Sequence, residues 1–179
     1  LVDRMLGPNK ALKLAPTNIH EILERVGTLL EAESKGRLNF ERDYDPSIPE
    51  FKGDKEQLIQ AFLNIARNAM EAAFENQGGH SSEESPTITF RTRTLRQFTI
   101  GNRRHKLVCR VDVIDNGPGI PPELVQNIFY PMISGRASGT GLGLSITQSI
   151  IGQHRGLVEC ESEPGRTDFI IFLPLEDTP

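Results

Sequence analysis

None of the 179 residues falls in an apolar stretch long enough to span a bilayer, and there is no signal-peptide pattern. Long basic runs are also missing and the net charge is −4, which argues against nucleic acid or an anionic membrane as the main partner. The single short basic cluster, Arg103-Arg104-His105-Lys106, falls between two strand-like runs and reads as a solvated hairpin loop. Cysteine is scarce: Cys109 and Cys160 lie in strand-like runs without CxxC spacing or a nearby histidine, so they read as buried reduced thiols rather than a disulfide or metal site. An initiator Met is absent too, and the opening Leu1-Val2-Asp3-Arg4-Met5-Leu6 starts in mid-pattern, so a piece of a longer, cytoplasmic protein is expected. What is present, 37% hydrophobic and 25% charged residues, suits a single globular domain with a real core.

Residues 1–16 read as the end of a helix and a linker broken by Gly7-Pro8 and Pro16. Thr17 or Asn18 can cap a helix whose Ile19, Ile22, Leu23, Val26, Leu29 and Leu30 recur at helical spacing, with Gly36 as its stop. Leu38 and Phe40 suggest a strand before a Pro-rich turn. Asp54 can cap the next helix, whose stripe Leu58, Phe62, Ile65, Ala69 and Ala73 is widened by Ile59, Leu63, Ala66 and Met70, so it is expected to be deeply buried. Alternation over 87–98 and 106–114 predicts a hairpin; a helix follows over about 141–154, and strands over about 156–162 and 167–173 close the domain. The predicted fold class is α/β (α+β): a two-layer sandwich with a mixed, largely antiparallel sheet covered on one face by three helices.

Three segments carry candidate chemistry. Asn64 and Asn68 are four apart and share one face of a buried helix, where unpaired amides would cost about 1–3 kcal/mol each. They are either core amides bonded to backbone or contacts for magnesium and phosphate, since magnesium takes oxygen ligands and keeps waters beside substrate phosphates. Asp115 shares strand parity with Leu107, Cys109, Val111 and Val113, so its carboxylate is expected on the packed side, in need of donors such as the amine of adenine. Asn116-Gly117-Pro118-Gly119 then turns the chain and lets backbone approach a ligand, although Asp-Asn-Gly alone is an ordinary turn. Gly139, Gly141 and Gly143 strip side chains from a helix entrance that could meet phosphate oxygens; the context fits neither a dinucleotide-binding turn nor a Walker loop. The stretch 121–140 between the boxes is long, with Phe129, Tyr130, Pro131 and Met132 as apolar anchors, and reads as a lid.

Together these residues resemble the catalytic ATP-binding domain of histidine kinases, in the GHKL (Bergerat) superfamily that includes gyrase, heat-shock chaperones and MutL. The resemblance covers about residues 17–175: the Asn box Asn64–Asn68, the glycine boxes Asp115–Gly119 and Gly139–Leu144, the Phe box Phe129–Met132, and Gly165-Arg-Thr167-Asp-Phe169 before Leu173-Pro174. Arg42-Asp-Tyr-Asp-Pro46, Phe129–Arg136 and the opening eight residues are similar to the nitrogen-regulatory group of these sensor kinases. The resemblance implies a Bergerat fold, with residues 17–176 as the catalytic domain and 1–16 as the end of the dimerisation helix and linker. It implies ATP and magnesium as cofactors. Asp115 would then bind the adenine amine with Thr167 near the base, Asn68 would hold magnesium, and Asn64 would position phosphates. Gly117, Gly119, Ile120, Phe129, Thr140, Gly141, Leu142, Gly143 and Leu144 would complete the nucleotide contacts.

It further implies a histidine protein kinase that supplies the γ-phosphate to a histidine on a separate dimerisation domain, for relay to an NtrC-type response regulator under control of the PII signalling protein. The parent would be a homodimer and this domain alone a monomer. Two departures stand out: Glu71 occupies a position often basic in the family, and Met132 one often aromatic. His20-Glu21-Ile22-Leu23-Glu24 begins like the phosphoacceptor box and then fails, so His20 reads as structural or exposed and the chain as lacking the acceptor. Two alternatives are a hydrolytic ATPase and a nucleotide-sensing module without transfer. Hydrolytic members place a Glu base where this chain has Asn64, which cannot take a proton.

Overall fold

Asn18 opens the first long helix in the computed structural model, which describes residues 11–75, 84–129 and 142–176. Its side chain accepts the His20 N–H at 2.9 Å, and α1 (Ile19–Ser34) buries Ile19, Ile22, Leu23, Val26 and Leu30 before a left-handed Lys35 ends it. Asp54 caps α2 (Lys55–Glu75): its Oδ1 accepts the Gln57 N–H at 3.2 Å. The wide stripe expected for that helix is buried, from Leu58 and Phe62 through Ile65 and Ala69 to Ala73.

The remaining strands are β1 (Ala15–Thr17), β2 (Asn39–Asp43), β3 (Phe51–Gly53), β4 (Thr87–Ile100), β5 (Arg103–Asp115), β6 (Leu157–Glu163) and β7 (Arg166–Pro174). Between β5 and β6 come the one-turn α3 (Pro122–Val125) and α4 (Leu142–Gln153). Five strands form one sheet in the order β2-β4-β5-β7-β6, with β2 parallel to β4 and the other neighbours antiparallel. Phe90, Val111, Val113, Phe169 and Ile171 of the sheet share one core with Leu23 of α1, Phe62 and Ile65 of α2, and Ile150 and Ile151 of α4. The expected two-layer sandwich with three covering helices is therefore the architecture. No helix among the described residues is long and apolar enough to cross a membrane.

Three features depart from the sequence reading. Ala15 and Pro16, read as linker, belong to β1, which pairs antiparallel with β3 in a separate two-stranded sheet. Lys13 N–H donates to Asp54 Oδ2 at 3.0 Å, Asp54 N–H donates to His154 Nε2 at 3.0 Å, and His154 Nδ1 lies 2.8 Å from the Ile150 carbonyl oxygen. The start of α2 and the end of α4 thus meet the incoming chain at one residue. Finally, Arg103–Lys106 is not a loop. Ile100 pairs with Arg103, so the hairpin turns on Gly101 and Asn102 alone and the basic cluster lies within β5.

The second face of the sheet has no helical cover among the described elements. There Arg110 and Arg91 donate to Asp112 at 2.8 and 3.0 Å, beside a buried Asp168. Burial, then the adjacent Asp112, push Asp168 up to about 7. Burial also works to raise Asp112, but hydrogen bonds from Arg110, Asp168 and Arg91 outweigh it and hold Asp112 below the usual carboxylate range. One proton therefore serves two buried carboxyls near neutral pH. Beyond them Val108, Ile170 and Phe172 form a small second core with Leu95, Phe98, Ile100 and Leu157. Leu95 is odd-numbered in β4, whereas Phe98 and Ile100 are even. Gln97 between them has φ 53, which inverts the strand's two-residue alternation and brings all three to one cluster.

Candidate functional site

The candidate site forms where the end of β5 meets α2. Asp115 pairs across the ladder with Thr167 of β7, and both side chains are 2% exposed. Asp115 has the parity of Val111 and Val113 and stands on the helix-covered face, as its register requires. Its Oδ1 accepts the Gly117 N–H at 2.8 Å. Asn116 locks the turn from behind, accepting the Thr87 N–H and donating to the Ser85 carbonyl, both at 2.9 Å.

Gly117 explains how two walls come together. A Cβ at this position would lie 2.7 Å from the Ala72 backbone and 2.8 Å from the Ala72 Cβ, so only glycine lets the turn touch α2. Ala72 is one turn past Asn68, which is one turn past Asn64. The two amides thus continue the helical row that ends on the first glycine box. Both are partly exposed, and Asn68 makes no hydrogen bond to another residue of the described structure. At the other side of α2, the buried Thr147 of α4 donates to the Ala61 carbonyl at 3.2 Å, tying the second glycine-box helix to the Asn helix.

Gly119 has φ 91, and an added Cβ would meet the Glu163 carbonyl oxygen. The Ile120 N–H donates to Ser162 Oγ at 2.7 Å, and Ser162 Oγ is 3.0 Å from Thr167 Oγ1. One serine therefore links the first glycine box to the threonine beneath it. Ile120 and Leu144 pack against the main core. Phe129 does so too, edge-on to Phe169 with centroids 6.3 Å apart. Leu142 and Gly143 begin α4. Thr140, Gly141 and Gly139, with Tyr130, Pro131 and Met132 of the Phe box, lie outside the described residues, as does most of the expected lid.

The sequence did not single out Ala72 or Ser162, and it read Cys160 only as a buried reduced thiol; the residue is half-buried. Burial, then the charges of Asp115 and Asp168, push the Cys160 thiol up to about 12, so it is an uncharged part of the floor. Arg67, a conceivable substitute for a basic residue at Glu71, is committed elsewhere, with Nη2 2.6 Å from Glu33 Oε1 on α1. His20 is structural as expected: its Nε2 is 2.8 Å from Thr92 Oγ1, its ring lies 4.6 Å from that of Tyr44, and burial lowers its pKa against the pull of Asp45 and Glu24. No cluster of three or more His, Cys, Asp or Glu able to hold a metal occurs among the described residues. A cavity of about 460 Å³ touches Asp115 from the opposite face, where Thr87, Thr89, Ile114 and Arg166 line it; Asn64 and Asn68 have no part in it.

Comparison with known proteins agrees with this geometry. Residues 53–177 match the model of the histidine kinase-, DNA gyrase B- and HSP90-like ATPases. The chain is 52% identical over 175 residues to the sensory histidine kinase/phosphatase NtrB of Vibrio alginolyticus, covering 98% of this chain and 48% of that protein. It is 41% identical over 168 residues to NtrB of Rhodobacter capsulatus, covering 91% of this chain and 44% of the relative. The chain thus spans about half the length of the curated relatives it matches. Among solved structures, the nucleotide-free catalytic domain of histidine kinase ThkA superimposes with a TM-score of 0.73 at 27% identity, covering 92% of this chain and 97% of that one. ThkA in complex with the response regulator TrrA gives a TM-score of 0.69 at 25% identity, covering 91% of this chain and 42% of that one. With an Asn-bearing helix, an Asp-ended strand and the glycine turn that joins them, the chain belongs to the histidine kinase-, DNA gyrase B- and HSP90-like ATPase family, alongside the NtrB sensor kinases.

Proposed function

We propose that this chain is the ATP-binding catalytic domain of a nitrogen-regulatory sensor histidine kinase, which supplies the γ-phosphate of ATP to a histidine on a separate domain. The observation that carries this reading is the contact of Gly117 with Ala72, which sets a buried carboxylate at the strand end beside a row of two amides on α2. Asp115 accepts the adenine amine and Thr167 supports the base. Asn64 and Asn68 face the phosphates. The partly exposed Asn68 amide, without a hydrogen-bond partner among the described residues, suits a magnesium ion that takes oxygen ligands and shares the rest of its shell with phosphates and water. Such an ion would neutralise phosphate charge. The protein's own share is to hold the nucleotide in line for attack. Ile120, Phe129 and Leu144 wall the site, and residues 121–140 act as the lid, with Thr140, Gly141, Leu142 and Gly143 at its far hinge.

Asn64 stands where hydrolytic relatives carry a base, which favours transfer over hydrolysis. The histidines agree: His20, His105 and His154 are buried or engaged, and none is presented to the Asn row. Likeness to ThkA, solved in complex with its response regulator TrrA, supports a response-regulator partner; the NtrC type of that partner, the PII protein and a cytoplasmic homodimeric parent follow only from the resemblance of the sequence to nitrogen-regulatory sensor kinases.

Calorimetry with magnesium-ATP tests the site. Asp115→Asn is expected to weaken binding by about 1.5–3 kcal/mol, as for a charged hydrogen bond, with the fold intact. Asn68→Ala is expected to lose the magnesium enhancement while retaining adenosine. Unchanged affinities would remove both residues from the site. With labelled ATP, the chain alone is expected to stay unlabelled and a histidine-bearing dimerisation domain to accept phosphate in trans; label on the chain that disappears with His20→Gln would overturn the transfer reading.

A further inference from the structure

The distal half of the β4–β5 hairpin has no part in the nucleotide site, yet it is the most unusual surface of the molecule. Residues 87–115 hold seven of the chain's 20 basic residues and two of its 24 acidic ones, a net of +5, which leaves −9 on the other 150 residues. The seven cations divide sharply. Arg91 and Arg110 pair with Asp112, and Arg93 pairs with Asp43. Arg96, Arg103, Arg104 and Lys106 are exposed and have no ion-pair partner among the described residues. All four lie toward the turn, where the hairpin outruns its neighbours: β2 pairs with β4 only as far as Arg91, and β7 with β5 only from Val108.

A two-stranded ribbon of this length is marginal alone. Here it is held. The inversion at Gln97 brings Phe98 and Ile100 onto the same cluster as Leu95, and the Phe98 ring stacks on Phe172 with centroids 4.7 Å apart. At the base, Glu176 accepts the Lys106 N–H at 2.6 Å, and its Oε1 lies 3.4 Å from Nδ1 of His105, which is 2% exposed. Cations that serve no internal pairing are thus carried on a preorganised platform with partly exposed apolar side chains among them.

We propose that the ribbon formed by residues 95–107 is a docking surface for an acidic face of another folded protein. Preorganisation lowers the ordering cost of association, and arginines around an apolar centre are the usual composition of protein interfaces. Opposite charge on the partner would steer encounter onto the ribbon and away from the −9 remainder. Nucleic acid fits less well: the same remainder repels phosphate, and Phe98, stacked on Phe172, is not free to stack on a base. A membrane fits less well because the apolar side chains, packed on Val108, Ile170 and Phe172, are only partly exposed and cannot insert as a free apolar face.

The experiment uses four probes against the described chain: a fluorescein-labelled peptide of alternating Glu and Val, its Lys-Val counterpart, a DNA duplex and phosphatidylglycerol vesicles. The Glu-Val peptide is expected to bind, to weaken at least tenfold between 50 and 300 mM salt, and to shift amide resonances of residues 94–107. Arg96, Arg103, Arg104 and Lys106 changed together to Gln are expected to abolish that binding while magnesium-ATP affinity and the melting temperature stay at wild-type values. Arg25, Lys35 and Lys52 changed together to Glu are expected to leave it intact. Binding that survives the four Gln substitutions, or falls equally in the control, overturns the proposal. Tighter binding of duplex or vesicles than of peptide, lost in the Gln variant, overturns the assignment to a protein partner. ATP affinity is read separately, so failure of the docking surface and failure of the nucleotide site are distinguishable.

Discussion

On one face of the sheet, Phe90, Val111, Val113, Phe169 and Ile171 meet three helices in a continuous apolar core. On the other, the residues between them present Asp112, Asp168, Arg91 and Arg110, and a small apolar cluster of Leu95, Phe98, Ile100 and Val108 of the hairpin with Leu157, Ile170 and Phe172 lies beyond them. The strands are the same; the alternate side chains are stabilised by different means. The covered face gains from area removed from water, which has no charge to titrate or to screen. The open face depends on a charge network with one buried proton, which is sensitive to both. The proposed nucleotide site is on the covered face, where the packed sheet holds Asp115 and Thr167. The proposed docking ribbon extends from the open one. If both proposals hold, separate surfaces would let a single thin sheet serve two partners without one blocking the other.

The largest effect is expected on the open face. Asp112→Ala removes the acceptor for two arginines and leaves Asp168 buried without its neighbour, so a loss of about 3 kcal/mol is expected in urea unfolding, with ATP affinity unchanged in the folded protein. A loss under about 1 kcal/mol would mean that the network is ornamental. On the covered face, Gly117→Ala must push the turn off Ala72 and is expected to cost about 1–3 kcal/mol by overpacking. Unlike the first variant, it should also lower ATP affinity at least tenfold, because it parts the carboxylate from the amide row. If stability falls and affinity does not, the two walls do not work as a unit.

The faces should also separate by pH. Asp168 is raised to about 7 from 3.8, so the folded state binds its proton more tightly than the unfolded chain. Its contribution to stability is full below the ordinary carboxylate range and lost as pH rises through about 7. Asp168→Asn keeps a neutral group at all pH values. Relative to wild type it is expected to gain on the order of 2 kcal/mol between pH 5 and pH 8.5, read as a change in the difference of unfolding midpoints. A constant difference would exclude the shared proton. The smallest effect is expected at the inversion. Gln97→Gly relieves a left-handed side chain and is expected to stabilise by about 0.5–1 kcal/mol while leaving both faces as they are.

The covered face was the legible one. Period-two alternation in β5 gives Asp115 its side, helical spacing gives Asn64 and Asn68 theirs, and the two glycine boxes mark the turns between. Those are local rules acting on local sequence. The contact that makes the site, Gly117 on Ala72, joins residues far apart in the chain; the glycine is visible and its neighbour is not. Ser162, which holds both the Ile120 N–H and Thr167, looks like any serine in an exposed strand. The open face misled more. Arg103–Lys106 reads as loop because charge usually marks solvent, and an edge ribbon wet on much of its surface looks the same in sequence. Nothing in the letters marks Gln97 as left-handed, since tertiary packing of Phe98 and Ile100 outweighs a cost that the residue itself disfavours. The small β1–β3 sheet was missed for another reason: strands of three residues are too short to show a period.

The knot at Asp54 has a mechanical meaning. Its carboxylate takes the Lys13 amide, its own amide is taken by His154, and its side chain also starts α2. Three segments share this one residue: the entering chain, the start of the helix that carries the two asparagines, and the end of the helix that follows the second glycine box. A chain pulled at Lys13 would load bonds to both helices at once, so the seating of the entering chain and the seating of the two helices are a single hydrogen-bonded junction.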